Sequence, residues 1–305
     1  MTDDLATWID ARLADAGIRR RGGLEPVRSW DRAELVTFGT DRGRMWAKAV
    51  PEVFAHEIAV TLLLADIDPG CVPPVVAADT ALGRIITEHV DGPSLATIPD
   101  RQDAWAATLS RLAEIQRVVA AEPRALAIAG VAPVSIRTLA DAVPRLMDDD
   151  DVLGAGNSEG LTRAEATALR ARIPILVHAC HELADSGVPD SLEHGDLTAD
   201  EVILGEMGPV FLDWSDGSIT HPFLSGASLL GDGVAGGDGA GAYLGPWLAA
   251  GIVTEAAGQA ALANAATVLP LHLAALYADR ILPSLGGDAR TDPKVIRAVR
   301  TLIER

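Results

Sequence analysis

Three acids gather around one short apolar hairpin late in the chain. Residues 202–204 (Val, Ile, Leu) and 210–212 (Val, Phe, Leu) are apolar runs, and residues 205–209 (Gly, Glu, Met, Gly, Pro) between them have the composition of a turn. Pairing 204 with 210 sets 203 against 211 and 202 against 212, and the next rung places Glu201 opposite Asp213. Asp196 lies five residues before Glu201, in a tight turn after His194 and Gly195. The expectation is that the three carboxylates converge at the open end of the hairpin. Uncompensated, they would raise one another's pKa. A divalent cation is a natural compensation, because Mg2+ takes carboxylate oxygens and bridges phosphates. Surface acids ordinarily fan out into water, and the position of Asp196 in a tight turn between apolar segments weakens that reading here.

The stretch from His194 to Leu197, a short strand, and then Leu212, Asp213 and Trp214 resembles the catalytic and metal-binding segment of the aminoglycoside phosphotransferase and choline kinase superfamily, which is related in fold to the protein kinases. The interval of 17 from Asp196 to Asp213 fits that family's spacing, and residues 215–223, with His221 and Pro222, continue the likeness. Lys48 sits in an Ala-Lys strand, like the family lysine that holds the nucleotide's phosphates, and Glu57 sits on the next helix, like the acid that pairs with it. Residues 85–92 resemble the strand and hinge that dock adenine on backbone groups, near Glu88 and Val90. The likeness spans roughly residues 28–230.

The resemblance implies an ATP-dependent phosphotransferase, with GTP as an open alternative donor and the hydroxyl of a small molecule as acceptor: an aminoglycoside, an amino sugar, choline or a related metabolite. By the same resemblance Asp196 orients or deprotonates that hydroxyl, Asp213 binds Mg2+, Glu201 offers the metal a second oxygen, Lys48 neutralises the phosphates and His194 supports the loop. Three positions depart from the family pattern: Glu201 where Asn is usual, Thr198 where His is frequent, and Ser225 where an acid is frequent. They keep open a second reading, a catalytically impaired, nucleotide-binding pseudokinase with a regulatory or binding role. A carboxylate-dependent metallohydrolase is a third, opposed by Lys48 and the hinge.

The elements that must position these residues fall into two groups. Residues 3–17 have helical apolar spacing, 34–38 and 45–50 read as strands about a turn, 54–65 as a helix, and 72–78 and 84–90 as two further strands. Beyond residues 91–93 the pattern becomes helical, with long 3.6-residue periodicity over 101–121 and 162–185. The expected fold is α+β and two-lobed: a nucleotide-binding lobe over residues 1–92 with a small antiparallel sheet, and a helical lobe over 93–305 carrying the catalytic and metal-binding loops. The Gly-rich stretch 231–245 follows no strand and reads as a loop rather than a phosphate cradle.

Composition limits the partners. The 305 residues, 49% of them apolar, supply a large core, and the net charge of −18 opposes nucleic acid. It would favour a cationic substrate, although acidity of this kind is more often solvation. Cys71 and Cys180 do not form a disulfide framework, the acidic start has no apolar signal core, and no run reaches about 18 apolar residues. The expectation is a soluble cytoplasmic protein with no membrane partner; the oligomeric state is left open. His178, Cys180 and His181 fit no zinc motif and read as ordinary helix, residues 148–151 (four Asp) as a solvated helix end or loop, and Trp46 and Trp214, near the presumed cleft, fit buried packing as well as ligand stacking.

Overall fold

In the computed structural model the described residues are 3–98, 100–148, 153, 160–232, 238–286 and 292–304. The first lobe is built on strands β1 (Arg20–Trp30), β2 (Ala33–Thr40), β3 (Gly43–Ala49), β4 (Val75–Asp79) and β5 (Arg84–Glu88), paired antiparallel in the order β1-β2-β3-β5-β4. Alternation along the strands divides the sheet into two faces. Val36, Phe38, Met45, Ala47 and Ile86 turn to helix α1 (Asp3–Asp15), whose Leu5, Trp8, Ile9 and Leu13 close a small core. Leu35, Trp46, Lys48 and Ile85 turn the other way, to the cleft under helix α2 (His56–Ile67).

Strand β1 was invisible to apolar alternation. Its Gly22, Gly23 and Pro26 interrupt the pattern, and its pairing with β2 shifts register between Arg21 and Glu25 and again between Pro26 and Arg28. An edge strand tolerates such residues because one side of its backbone has no ladder to make.

The second lobe contains helices α3 (Gln102–Ala120), α4 (Pro123–Ile128), α5 (Ile136–Asp148) and α6 (Arg163–Ala184), then strands β6 (Ser191–Glu193), β7 (Val202–Gly205), β8 (Gly208–Phe211) and β9 (Ser218–Thr220), and helices α7 (Phe223–Asp232), α8 (Gly239–Ala249), α9 (Glu255–Leu276), α10 (Leu282–Leu285) and α11 (Pro293–Glu304). β6 pairs with β9 and β7 with β8, so two small ribbons sit in a helical body. Thr162 and Glu165 form a capping box at the start of α6. The passage between the lobes lies against the β7–β8 ribbon: Leu204 N donates to Pro93 O at 3.0 Å, and Gly92, at φ 152°, has no room for a Cβ, which would meet Leu204 O at 2.1 Å.

The loop expected over residues 231–245 is not what the structure has. The Gly-rich stretch is largely helical: α7 runs to Asp232 and α8 begins at Gly239, with Asp238 accepting from Gly241 N at 2.9 Å; residues 233–237 lie outside the described residues. Packing outweighs glycine's poor propensity. Tyr243 and Trp247 are fully buried, and the Tyr243 ring fills the space that a side chain at Gly226 would take.

The stretch Glu255–Leu285 is long and apolar enough to cross a membrane, but it packs among α6, α7 and α11, with 56% of its most apolar window buried in the protein. That is the pattern of a core helix. Between α9 and α10 the backbone widens into a π-helical turn, Tyr277–Ile281, which aims Tyr277 and Arg280 toward the cleft.

Candidate active site

The loop that carries Asp196 leaves β6 and is fastened by several contacts. The His194 ring lies 4.6 Å from the Trp214 ring, its Nε2 donates to Leu212 O at 2.8 Å, and its Nδ1 is left to accept from Asp196 N at 3.4 Å. The His194 amide donates to Ser225 Oγ at 2.9 Å. Behind Ser225 lies the buried Glu193, which accepts from Ser225 Oγ (3.3 Å) and Ser218 Oγ (3.4 Å) and pairs with His272 Nε2 at 3.2 Å. The position where the family resemblance leads one to expect an acid is thus a hydroxyl, with a buried carboxylate one step further back. Gly195, at φ 84°, makes the turn into Asp196; a Cβ there would lie 2.2 Å from Asp216 O, so only glycine fits.

The hairpin register differs by one residue from the sequence expectation. Val202 pairs with Phe211, Ile203 with Val210, Leu204 with Pro209 and Gly205 with Gly208, around a two-residue turn of Glu206 and Met207. Glu201 therefore faces Leu212, whose N donates to Glu201 O at 2.9 Å, and not Asp213. The tighter turn sets the register, because two-residue loops match the twist of paired strands.

Asp213 follows the ladder in a left-handed conformation, φ 57° and ψ 65°, alone among the described non-glycine residues in having positive φ. A non-glycine residue held in this region carries strain that surrounding structure must overcome. Here its carboxylate meets Lys48, with Nζ at 2.9 Å from Asp213 Oδ1 and at 2.6 Å from Glu57 Oε1. Burial works against the Lys48 ammonium, but Glu57 and Asp213 outweigh it and raise its pKa. Burial likewise opposes the Asp213 carboxylate, and Lys48 overcomes it, bringing the pKa down to about 2.

Lys48, Glu57, Asp213 and Glu201 form one end of a cavity of about 370 Å³ between the lobes. Val27, Leu35, Ile203 and Phe211 wall it, and Glu88, His89 and Val90 form its far rim. Apolar walls with a few convergent polar groups make a small-molecule pocket.

Asp196 is absent from this lining. The structure replaces the expected meeting of three carboxylates with a pair, Glu201 and Asp213, and a separate Asp196 turned toward α11; among the described residues no three His, Cys, Asp or Glu side chains are grouped to hold a metal. The pair still suits Mg2+, which takes one or two carboxylates and completes its shell with water and phosphate. Burial first, then repulsion from Asp213 and Asp196, lifts the Glu201 carboxyl from 4.5 to about 7. A metal takes the ionised form, so Mg-nucleotide affinity is expected to rise up to about tenfold between pH 6 and pH 8 and to flatten in Glu201→Asn, as read by calorimetric titration at each pH. Stability should move the opposite way: a raised acid pKa favours the protonated fold, so this contribution falls as pH rises from 4.5 to about 7.

A second charged cluster surrounds Asp196 on the side of α11. Lys294, from α11, places Nζ 2.5 Å from Asp196 Oδ2 and 3.7 Å from Asp216 Oδ2. Tyr277 OH donates to Asp216 Oδ2 at 2.5 Å, and Arg32, from the β1–β2 turn, reaches the same oxygen at 3.5 Å. Burial, reinforced by Asp216 and opposed by Lys294, keeps the Asp196 carboxyl above its usual range. Elsewhere, Cys180 is buried while His178 is exposed on the same helix; Asp148 ends α5, and residues 149–151 lie outside the described residues.

No family model matches the sequence, and no curated protein matches it either. Solved structures do. A macrolide 2'-phosphotransferase type I is 17% identical, with 99% of this chain and 98% of that one aligned at a TM-score of 0.60. Choline kinase from Cryptosporidium parvum Iowa II is 12% identical over 92% of this chain and 87% of its own, at 0.62. The streptomycin–ATP ternary complex of APH(2'')-IIa is 13% identical over 99% and 98%, at 0.57. These likenesses, with the antiparallel sheet of the first lobe and the helical second lobe, show that the chain has the two-lobed, protein-kinase-like fold of the aminoglycoside and macrolide phosphotransferases and the choline kinases.

Proposed function

We propose that the protein transfers the γ-phosphoryl group of ATP, or of GTP, to a hydroxyl of a small molecule. The observation that carries this reading is Lys48, held between Glu57 and Asp213 at the end of an apolar interlobe cavity rimmed by Glu88 and Val90. Adenine would lie between Val27, Leu35 and Ile203, with its polar edge on the backbone near Glu88 and Val90. Lys48 would neutralise the phosphates. Asp213 and Glu201 would hold Mg2+, which supplies further charge neutralisation to the triphosphate. Asp196 would accept the acceptor's hydroxyl proton as the new oxygen–phosphorus bond forms and the bond to the departing nucleoside diphosphate breaks. The soluble character of the fold and its cytoplasmic setting belong to the same reading.

Glu201 favours a second reading, the nucleotide-binding pseudokinase, because a carboxylate near a triphosphate is repelled where an amide is not. A gain of turnover in Glu201→Asn would mark a weakened enzyme. The test of the first reading is nucleotide-diphosphate release from Mg-ATP and Mg-GTP, measured against a panel of neutral, cationic and anionic hydroxyl compounds. Acceptor-dependent release supports it, and nucleotide binding without any release supports the pseudokinase.

A further inference from the structure

Arginine and lysine together number 25, yet lysine occurs at positions 48 and 294 only. Both ammonium groups touch carboxylates of the candidate site. A lysine ammonium is a compact point charge where an arginine would present a planar fork.

The surroundings of Lys294 suit an ammonium. Asp196 Oδ2 and Asp216 Oδ2 lie 2.5 and 3.7 Å from Nζ, and the Tyr277 ring centroid lies 4.4 Å away. Nζ also donates to Tyr277 OH at 2.5 Å, so two carboxylates and a phenol oxygen at the edge of an aromatic ring together hold the ammonium. The seat is firm: Asp216 is buried and held by Tyr277, and α11 is anchored by the buried Val295, Ile296, Val299 and Leu302. It is also reachable from solvent, since the Lys294 and Asp196 side chains are 36% and 44% exposed. Arg32 stacks over Tyr277 at 4.8 Å and reaches Asp216 Oδ2 through Nη1 at 3.5 Å.

Resting on the phosphotransferase reading, we propose that Lys294 is a second active-site lysine: it holds Asp196 and permanently fills the seat that an acceptor's ammonium would take. The acceptor then brings its hydroxyl to Asp196 with no positive charge of its own beside it, so it is a neutral or anionic hydroxyl compound. This sets the protein apart from neighbours whose names refer to choline or streptomycin.

The test is thermal denaturation of the full chain with ethylammonium or choline chloride, with potassium chloride as the ionic control. The unaltered protein should gain no saturable stabilisation from either cation. Lys294→Ala, with the seat vacated, should be saturably stabilised by ethylammonium, at concentrations at least about tenfold below any effect on the parent. Saturable choline binding by the parent overturns the proposal, because Lys294 then yields its seat; so does a Lys294→Ala variant that gains no ammonium binding. Acetylation of the parent at Lys294, read by mass spectrometry, gives an independent answer should the variant fail to fold. Choline should leave that rate unchanged, and acceleration by choline overturns the proposal. Mg-ATP added to the same samples separates the two claims: loss of its stabilising effect counts against the nucleotide reading while the ammonium result is still read directly.

Discussion

Asp196→Asn should lower phosphoryl transfer by about 10²- to 10⁴-fold, the usual contribution of a positioned general base, while leaving Mg-nucleotide affinity within a few-fold of the parent. The separation follows from geometry. Asp196 lies outside the cavity that Lys48, Glu201 and Asp213 close, and it faces Lys294. An amide oxygen can still accept from Lys294, so the loop should hold its shape while the proton acceptor is gone. Single-turnover kinetics with saturating nucleotide read the first effect and calorimetric titration the second. Equal losses in both would mean that Asp196 serves the nucleotide and not the acceptor.

Lys48→Ala should destabilise the protein by about 3–5 kcal/mol as well as weaken nucleotide binding. Removing one partner of a buried pair leaves an uncompensated charge, and the cost is of that order. Glu57 and Lys48 are 7% and 13% exposed, so water does little to relieve the remaining carboxylate. The double variant Lys48→Met, Glu57→Gln should regain most of that stability in urea denaturation without regaining nucleotide affinity. Recovery of both would show that Lys48 acts only through packing.

The sheet and the long helices could be read from the sequence because their periodicity is local: Val36 with Phe38, and Leu5 through Leu13. The segment from His194 to Trp214 was legible through motif and spacing together, and so was the bond between an Ala-Lys strand and an acid on the next helix. The hairpin register was missed by one residue, because a five-residue turn reading placed Met207 at the apex where Glu206 and Met207 share it. β1 lacked alternation, and α8 contradicted propensity through the tertiary burial of Tyr243 and Trp247. The cluster around Asp196 could not be read by any local rule: Arg32, Tyr277 and Lys294 converge on Asp216 and Asp196 from both lobes, and Lys294 is 98 residues from its partner. One signal was available, the presence of only two lysines in an arginine-rich chain.

Phosphoryl transfer by this protein requires the interlobe cavity to be a nucleotide site organised by Lys48. Calorimetric titration of Mg-ATP into the parent protein and into the Lys48→Met, Glu57→Gln double variant tests this most directly. Saturable one-to-one binding by the parent, lost by at least about tenfold in the stable double variant, is the predicted result; a folded parent that takes up no Mg-ATP or Mg-GTP, or a double variant that binds as tightly as the parent, would contradict it.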